Sequence, residues 1–183
     1  DKIVFAIPAA LSGGVHTINV GATALPTIAQ ALIIDGSTEP DFAGTPVIEL
    51  NGNNVSGGIR GLVLGAGSDG STIRGLTINR FSGTGIDISG SNNHTIQGNW
   101  IGLNAAGTAA AGNGGKGIYA SASSGHLIGG TTAATRNVIS GNSNIGVFIA
   151  AGSGNAISGN YIGLNAAGTA ALGNNTGIYV QDS

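Results

Sequence analysis

The sequence predicts an all-β solenoid, a parallel β-helix with three short strands in each rung. Three observations carry that reading: a long segment that recurs almost verbatim, aliphatic residues at fixed short spacings, and 35 glycines in 183 residues. Glycine averages roughly 7% of ordinary chains, so this backbone turns often. No three-residue period accompanies the glycine, which excludes a collagen-like triple helix. A hydrophobic content of 41% at a formal net charge of −2 also excludes a disordered chain.

The recurring segment runs from Asn99 to Asn113 and again from Asn160 to Asn174. Its offset of 61 residues is too long for one solenoid turn, so a shorter unit lies inside it. Ile73/Ile78, Ile96/Ile101 and Ile157/Ile162 are each five apart. Ile88 to Ile96, Ala120 to Ile128, Ile149 to Ile157, Ile78 to Ile86 and Ile139 to Val147 are each eight apart. Ile73 to Ile96 gives a bare rung of 23 residues. The next rungs add nine residues between Ile101 and Ile118, then six between Ile128 and Ile139. Fixed strand spacing with variable loops is what a coiled sheet demands, because loops can bulge while a core register cannot slip.

Residues 1–60 are less regular and read as opening coils, with strands at Lys2–Ile7, His16–Val20, Ala31–Ile34 and Pro46–Leu50. Residues 61–183 read as regular rungs of the same single domain. Their first strand is Leu62–Leu64, Ile86–Ile88, Ile118–Ala120, Val147–Ile149 and Ile178–Val180. The second is Thr95–Gln97, Leu127–Gly129 and Ala156–Ser158, and the third is Leu76–Ile78, Trp100–Ile101, Val138–Ile139 and Tyr161–Ile162. Ile and Val face inward with a period of two. Gly98-Asn99 and Gly159-Asn160, with Gly75-Leu76 before them, mark the corner between the second and third strands. Such a corner needs left-handed backbone angles, which Gly and Asn tolerate, and stacked Asn side chains can satisfy buried main-chain groups there. Roughly six coils follow, about 30 Å long at the strand spacing of a sheet.

Certain strings carry a resemblance: Ile33-Ile-Asp-Gly-Ser-Thr-Glu-Pro40, Gly44–Leu50, Ile128–Asn142 and the duplicated Asn-x-Ile-Gly-Leu-Asn-Ala-Ala-Gly-Thr. Over nearly the whole chain they resemble bacterial secreted and surface proteins with right-handed parallel β-helix repeats, in the pectin-lyase-like superfamily. The resemblance implies secretion or surface display, often within a longer polypeptide. It is a poor guide to activity, since lyases, hydrolases, adhesins and passive stalks share the fold.

Composition narrows the function further. Near-neutral charge lacks the footprint of nucleic-acid binding, and zero cysteine removes disulfides and thiol chemistry. No apolar run approaches the length of a membrane-spanning helix. The start at Asp1, without a signal peptide, fits a mature or excised fragment. Asp35, Glu39 and Asp41 form the one acidic cluster and read as turn and capping chemistry, with a calcium or catalytic site as the lesser alternative. Asp87 lies outward on a strand, with Arg60, Arg74 and Arg80 as partners for surface ion pairs. His94 and His126 begin equivalent strands one rung apart, but no third metal ligand is in view. The expectation is therefore no catalytic constellation, no metal and no cofactor.

The outward columns are more informative. The first strand places Val63, Asp87, Tyr119, Phe148 and Tyr179 in one column, and the third places Thr77, Trp100, Val138 and Tyr161 in another. The Ala-rich insertions 102–113 and 163–174 are expected to fold back over these rings. Uncovered rings would serve sugar stacking or a protein interface. The pattern stays in phase through Val180 and stops at Gln181–Ser183 without a cap, which invites continuation by more chain or head-to-tail stacking. The sequence thus points to a non-catalytic extracellular or cell-surface structural and adhesive segment, partnered by itself or by polysaccharide. The alternative is a carbohydrate-active enzyme or glycan-binding module of the same fold. Outward threonines do not align between rungs, which speaks against ice or mineral binding.

Overall fold

The computed structural model describes residues 1–181. Asp182 and Ser183, and with them the end of the expected uncapped terminus, lie outside the described residues. The described residues form a right-handed parallel β-helix of six coils. The first holds β1 (Lys2–Val4) and β2 (His16–Asn19), with Ile28 bridging to Leu64 in place of a third strand. The second holds β3 (Ile33–Asp35), β4 (Ile48–Asn51) and β5 (Leu62–Leu64), and the third β6 (Thr72–Arg74), β7 (Leu76–Asn79) and β8 (Ile86–Ser89). The fourth holds β9 (Thr95–Gln97), β10 (Trp100–Ile101) and β11 (Ile118–Ser121). The fifth holds β12 (Leu127–Gly129), β13 (Val138–Ile139) and β14 (Ile145–Ala150), and the sixth β15 (Ala156–Ser158), β16 (Tyr161–Ile162) and β17 (Thr176–Gln181).

Strands of like position stack into three parallel sheets: β1-β3-β6-β9-β12-β15, β2-β4-β7-β10-β13-β16, and β5-β8-β11-β14-β17. The register is the one the aliphatic spacings dictate. Ile34, Ile73, Ile96, Ile128 and Ile157 pair in one column, and Ile78, Ile101, Ile139 and Ile162 in the next. Ile73, Ile78, Ile96, Ile101, Ile118, Ile128 and Ile139 are completely buried, so the interior is a pile of aliphatic layers. The opening coils obey the same register despite longer loops, with Ile3 paired to Ile34 and Ile18 to Leu50.

Corners are where such a coil is vulnerable, since main-chain groups there point away from the sheet ladders. Asparagine columns solve this at two corners. At the corner before the second sheet, the Asn99 side-chain carbonyl accepts the Leu76 N–H. The Asn137 carbonyl accepts from both the N–H and Nδ2 of Asn99, and the Asn160 carbonyl does the same for Asn137. Each amide nitrogen also donates to a strand carbonyl one rung back: Ile73, Ile96 and Ile128. The corner glycines Gly75, Gly98 and Gly159 all have φ of 63–69°. At the corner leading to the third sheet, Asn113, Asn142 and Asn174 repeat the scheme, and Asn113 accepts the Phe81 N–H. Asn99, Asn113 and Asn137 are fully buried, so their amides are committed to the frame.

The duplicated segment gives a duplicated structure. Leu103 bridges Ala110 and Leu164 bridges Ala171, each closing an antiparallel hairpin beyond the second sheet. Asn104 and Asn165 cap the hairpin tips by accepting main-chain N–H groups four and five residues on.

Asn137→Ala should therefore destabilise the chain by about 3 kcal/mol, because several buried groups lose partners worth about 1–3 kcal/mol each. Asn104→Ala, whose bonds are solvent-exposed, should cost about 1 kcal/mol or less. Urea unfolding of the two variants tests the contrast; equal losses would mean that the buried column contributes no more than a surface turn.

Candidate functional site

The third sheet presents its outward column as Val63, Asp87, Tyr119, Phe148 and Tyr179, each paired with the next. The three rings form a continuous ladder. Tyr119 and Phe148 centroids lie 5.2 Å apart at 45°, and Phe148 and Tyr179 lie 5.0 Å apart at 59°. Tilted pairs at this separation suit the ring quadrupoles. Lys116, in the loop entering β11, sets its ammonium 4.6 Å from the Tyr119 centroid and 5.5 Å from that of Phe148. That is cation–π distance. Tyr119 and Phe148 are half-buried and Tyr179 is 46% exposed, so the ladder faces solvent.

The second sheet's column differs. Thr77, Trp100, Val138 and Tyr161 pair in order, but the hairpins lie on them. A Cβ on Gly107 would stand 2.8 Å from the Trp100 ring, and one on Gly168 would stand 2.7 Å from the Tyr161 ring. The hairpins also join to each other, Ala166 donating its N–H to the Gly107 carbonyl. Thr77 and Val138 are buried, Trp100 and Tyr161 partly so, and Arg136 stacks its guanidinium 4.2 Å from the Tyr161 centroid. Covering by the insertions thus applies to the Trp100 and Tyr161 column only; the Tyr119, Phe148 and Tyr179 column stays open. Beside Trp100 runs a groove of about 370 Å³, lined among others by Arg74, Gln97, Thr135 and Arg136.

The acidic residues do not converge on that groove. Asp35 caps the short turn Gly36–Thr38 and accepts from the N–H and hydroxyl of Ser37. It also pairs with Arg74 and with Lys2 at 3.1 Å. Burial alone would raise its pKa, but the Arg74, Ser37 and Lys2 hydrogen bonds hold it well below the usual carboxylate range. Glu49 pairs with Arg80 and accepts from Asn79 and Thr17. Asp87 pairs with Arg60 at 3.3 Å. The three arginines considered for Asp87 are thus divided among three acids, and each pair is an outward-facing lock between neighbouring coils.

The remaining corner, between the third and first sheets, holds a column of Ser71, His94, His126 and Asn155. Leu32 donates its N–H to Ser71 Oγ, His94 its N–H to His126 Nδ1 at 3.2 Å, and His126 its N–H to Asn155 Oδ1. The imidazoles stack at 5.2 Å and 6°, and both are buried. Since His126 Nδ1 accepts a main-chain bond, its proton sits on Nε2 in the neutral ring. Burial lowers both pKa values, that of His126 to about 4, with the neighbouring His94 adding to the effect. His126 thus does for this edge what the asparagines do for the others, accepting a main-chain N–H from the preceding rung, while the His94 ring contacts the Ser91 hydroxyl through Nε2.

Sequence reasoning identified Asn99 and Asn160 with Gly98 and Gly159 at one corner but missed Asn137, Asn113, Asn142 and Asn174. The available signal was the residue immediately before each third strand: Asn99, Asn137 and Asn160 all occupy it. Lys116 and Arg136 were also missed, since cations over rings leave no trace in spacing. His16 was not connected with Glu39 and Asp41, although the fold sets all three side by side.

Comparison with family models, curated proteins and solved structures found no match for this chain. The class established is therefore the fold itself, a parallel β-helix. Among the described residues no helix is long and apolar enough to cross a membrane.

The depressed histidine pKa values have a calculable consequence. The folded state resists protonation that the unfolded chain accepts near the ordinary value of 6.5. Stability is thus intact above that pH and is lost as pH falls from 6.5 toward 4, by about 3 kcal/mol for His126 in full. His126→Asn, which keeps an acceptor for the His94 N–H, should flatten this part of the stability–pH curve. Chemical denaturation at pH 7.5, 6 and 4.5 tests it; an unchanged slope in the variant contradicts the assignment.

Proposed function

We propose that this chain is a non-catalytic structural segment of an extracellular or cell-surface β-helix, whose open aromatic ladder makes adhesive contact with polysaccharide. The observation carrying the reading is the asymmetry between the two ring columns. Hairpins lie over Trp100 and Tyr161, whereas Tyr119, Phe148 and Tyr179 face solvent beside Lys116. Rings at one-rung intervals offer apolar faces to a sugar chain, and Lys116 supplies a charge for an acidic one. The commitment of Asp35, Glu49 and Asp87 to inter-coil ion pairs supports a frame-building role for the acids. Ile3 and Val4 on the first strand, and Ile178 and Val180 on the last described one, are exposed and apolar. A further rung, from the same polypeptide or a second copy stacked head to tail, would cover them.

A second reading, a carbohydrate-active site, rests on the groove beside Trp100, where Arg74, Gln97 and Arg136 meet an aromatic wall. One experiment separates the two: neutral and acidic polysaccharides are offered with and without calcium, and both retention and new chain ends are scored. The adhesive reading expects retention without cleavage, weakened about 3- to 10-fold by Phe148→Ala or Tyr179→Ala, the scale of one aromatic contact. Cleavage, or retention indifferent to both substitutions, overturns it. Light scattering of the same preparation should show mass rising with concentration if copies stack; a strict monomer removes that part.

A further inference from the structure

The first two coils bring three chemically unlike groups to one point. His16 opens β2, donates its N–H to the Val47 carbonyl and is 7% exposed. Its Nε2 is buried, has no hydrogen-bond partner, and lies 3.7 Å from Glu39 Oε1 and 3.6 Å from Asp41 Oδ2. The three ligand atoms fall within 4.8 Å of one another.

Those separations are informative. A charge-assisted hydrogen bond closes to about 2.7–2.9 Å, which neither contact reaches. A tetrahedral ion with bonds near 2.0–2.1 Å holds adjacent ligand atoms about 3.3 Å apart; the two imidazole separations lie near that spacing, and the carboxylate oxygens, within 4.8 Å of each other, would draw in on the ion. The carboxylates are also preset. Glu39 is 3% exposed and spends Oε2 on the Ile7 N–H at 3.0 Å, which turns Oε1 toward His16. Its own N–H donates to Gly36 and its carbonyl accepts from Phe42, a turn that carries Asp41 around to the imidazole. The Asp41 side chain is 50% exposed, so the site opens to solvent on one side only. Among the described residues, His16 is the sole basic side chain within 4.0 Å of the Glu39 carboxylate. A buried carboxylate requires compensation.

We propose that His16 Nε2, Glu39 Oε1 and Asp41 Oδ2 form a three-ligand site for a zinc-type divalent transition ion. Solvent, or a ligand from a partner molecule, takes the fourth position. Imidazole nitrogen with two carboxylate oxygens is a donor set for zinc and its neighbours, whereas calcium takes oxygen alone. A dication balances the two carboxylates while the imidazole stays neutral. Because the ligands come from two successive coils, the ion pins the opening coils together.

The test uses the whole chain, freed of metal by chelator and dialysed, with zinc chloride as the probe in calorimetry and cobalt(II) as a spectroscopic stand-in. The expected result is one zinc per chain, visible bands of tetrahedral cobalt, and a rise in Tm that chelator reverses. Asp41→Asn, at a half-exposed position, should fold normally and bind about 10-fold more weakly or worse. His16→Gln should abolish binding with circular dichroism unchanged, and His126→Asn should leave it intact. Absence of saturable zinc binding overturns the proposal, as does one-to-one binding that survives His16→Gln. Calcium binding in place of zinc also overturns it.

Discussion

A coil that turns three times per rung must satisfy main-chain N–H and C=O groups at every bend, away from water, and the rest of the structure depends on how that is done. Here each corner carries one side-chain column. Asn99, Asn137 and Asn160 hold one corner, Asn113, Asn142 and Asn174 the next, and Ser71, His94, His126 and Asn155 the third. Asparagine suits this place because one amide both accepts from the preceding rung and donates into it. With the corners satisfied, the strands can be as short as two residues and still stack in register.

Once register is fixed from inside, the outside is free to vary. The hairpins at 102–113 and 163–174 leave the Ile101, Ile139 and Ile162 column undisturbed. Outward strand positions carry charge instead: Asp35, Glu49 and Asp87 tie neighbouring coils to Arg74, Arg80 and Arg60. The resulting faces have separate characters: a charged opening, a hairpin-covered sheet, and a sheet with open rings. Division of labour of this kind is what lets one scaffold carry a contact surface without risk to its core.

The fold was legible because its code is periodic. Isoleucines five and eight apart fix three strands per rung, and each short strand from Leu62 onward lies where the spacing puts it. What was not legible depends on contacts between residues of unrelated spacing. The insertion after Trp100 was legible as a cover for that ring, but nothing in the sequence says that the cover stops there and leaves the ring of Phe148 open, since both are outward positions on similar strands. The His16, Glu39 and Asp41 grouping was hidden for a related reason: the irregular opening loops set its geometry, and no repeat reports on them. The two stacked histidines were visible as equivalent positions, but the role of His126 as a hydrogen-bonding corner needed the orientation of its Nδ1.

Native-state hydrogen exchange of the corner amides tests the central claim most directly. If the side-chain columns hold the coil together, the N–H groups of Asn99, Asn113, Asn137 and Asn142, all donated to side chains one rung on, exchange only through global unfolding. They would then match the protection of the isoleucine amides in the adjacent strands. Exchange of these corner amides orders of magnitude faster than their strand neighbours would contradict the account, and would leave the aliphatic core alone to hold the register.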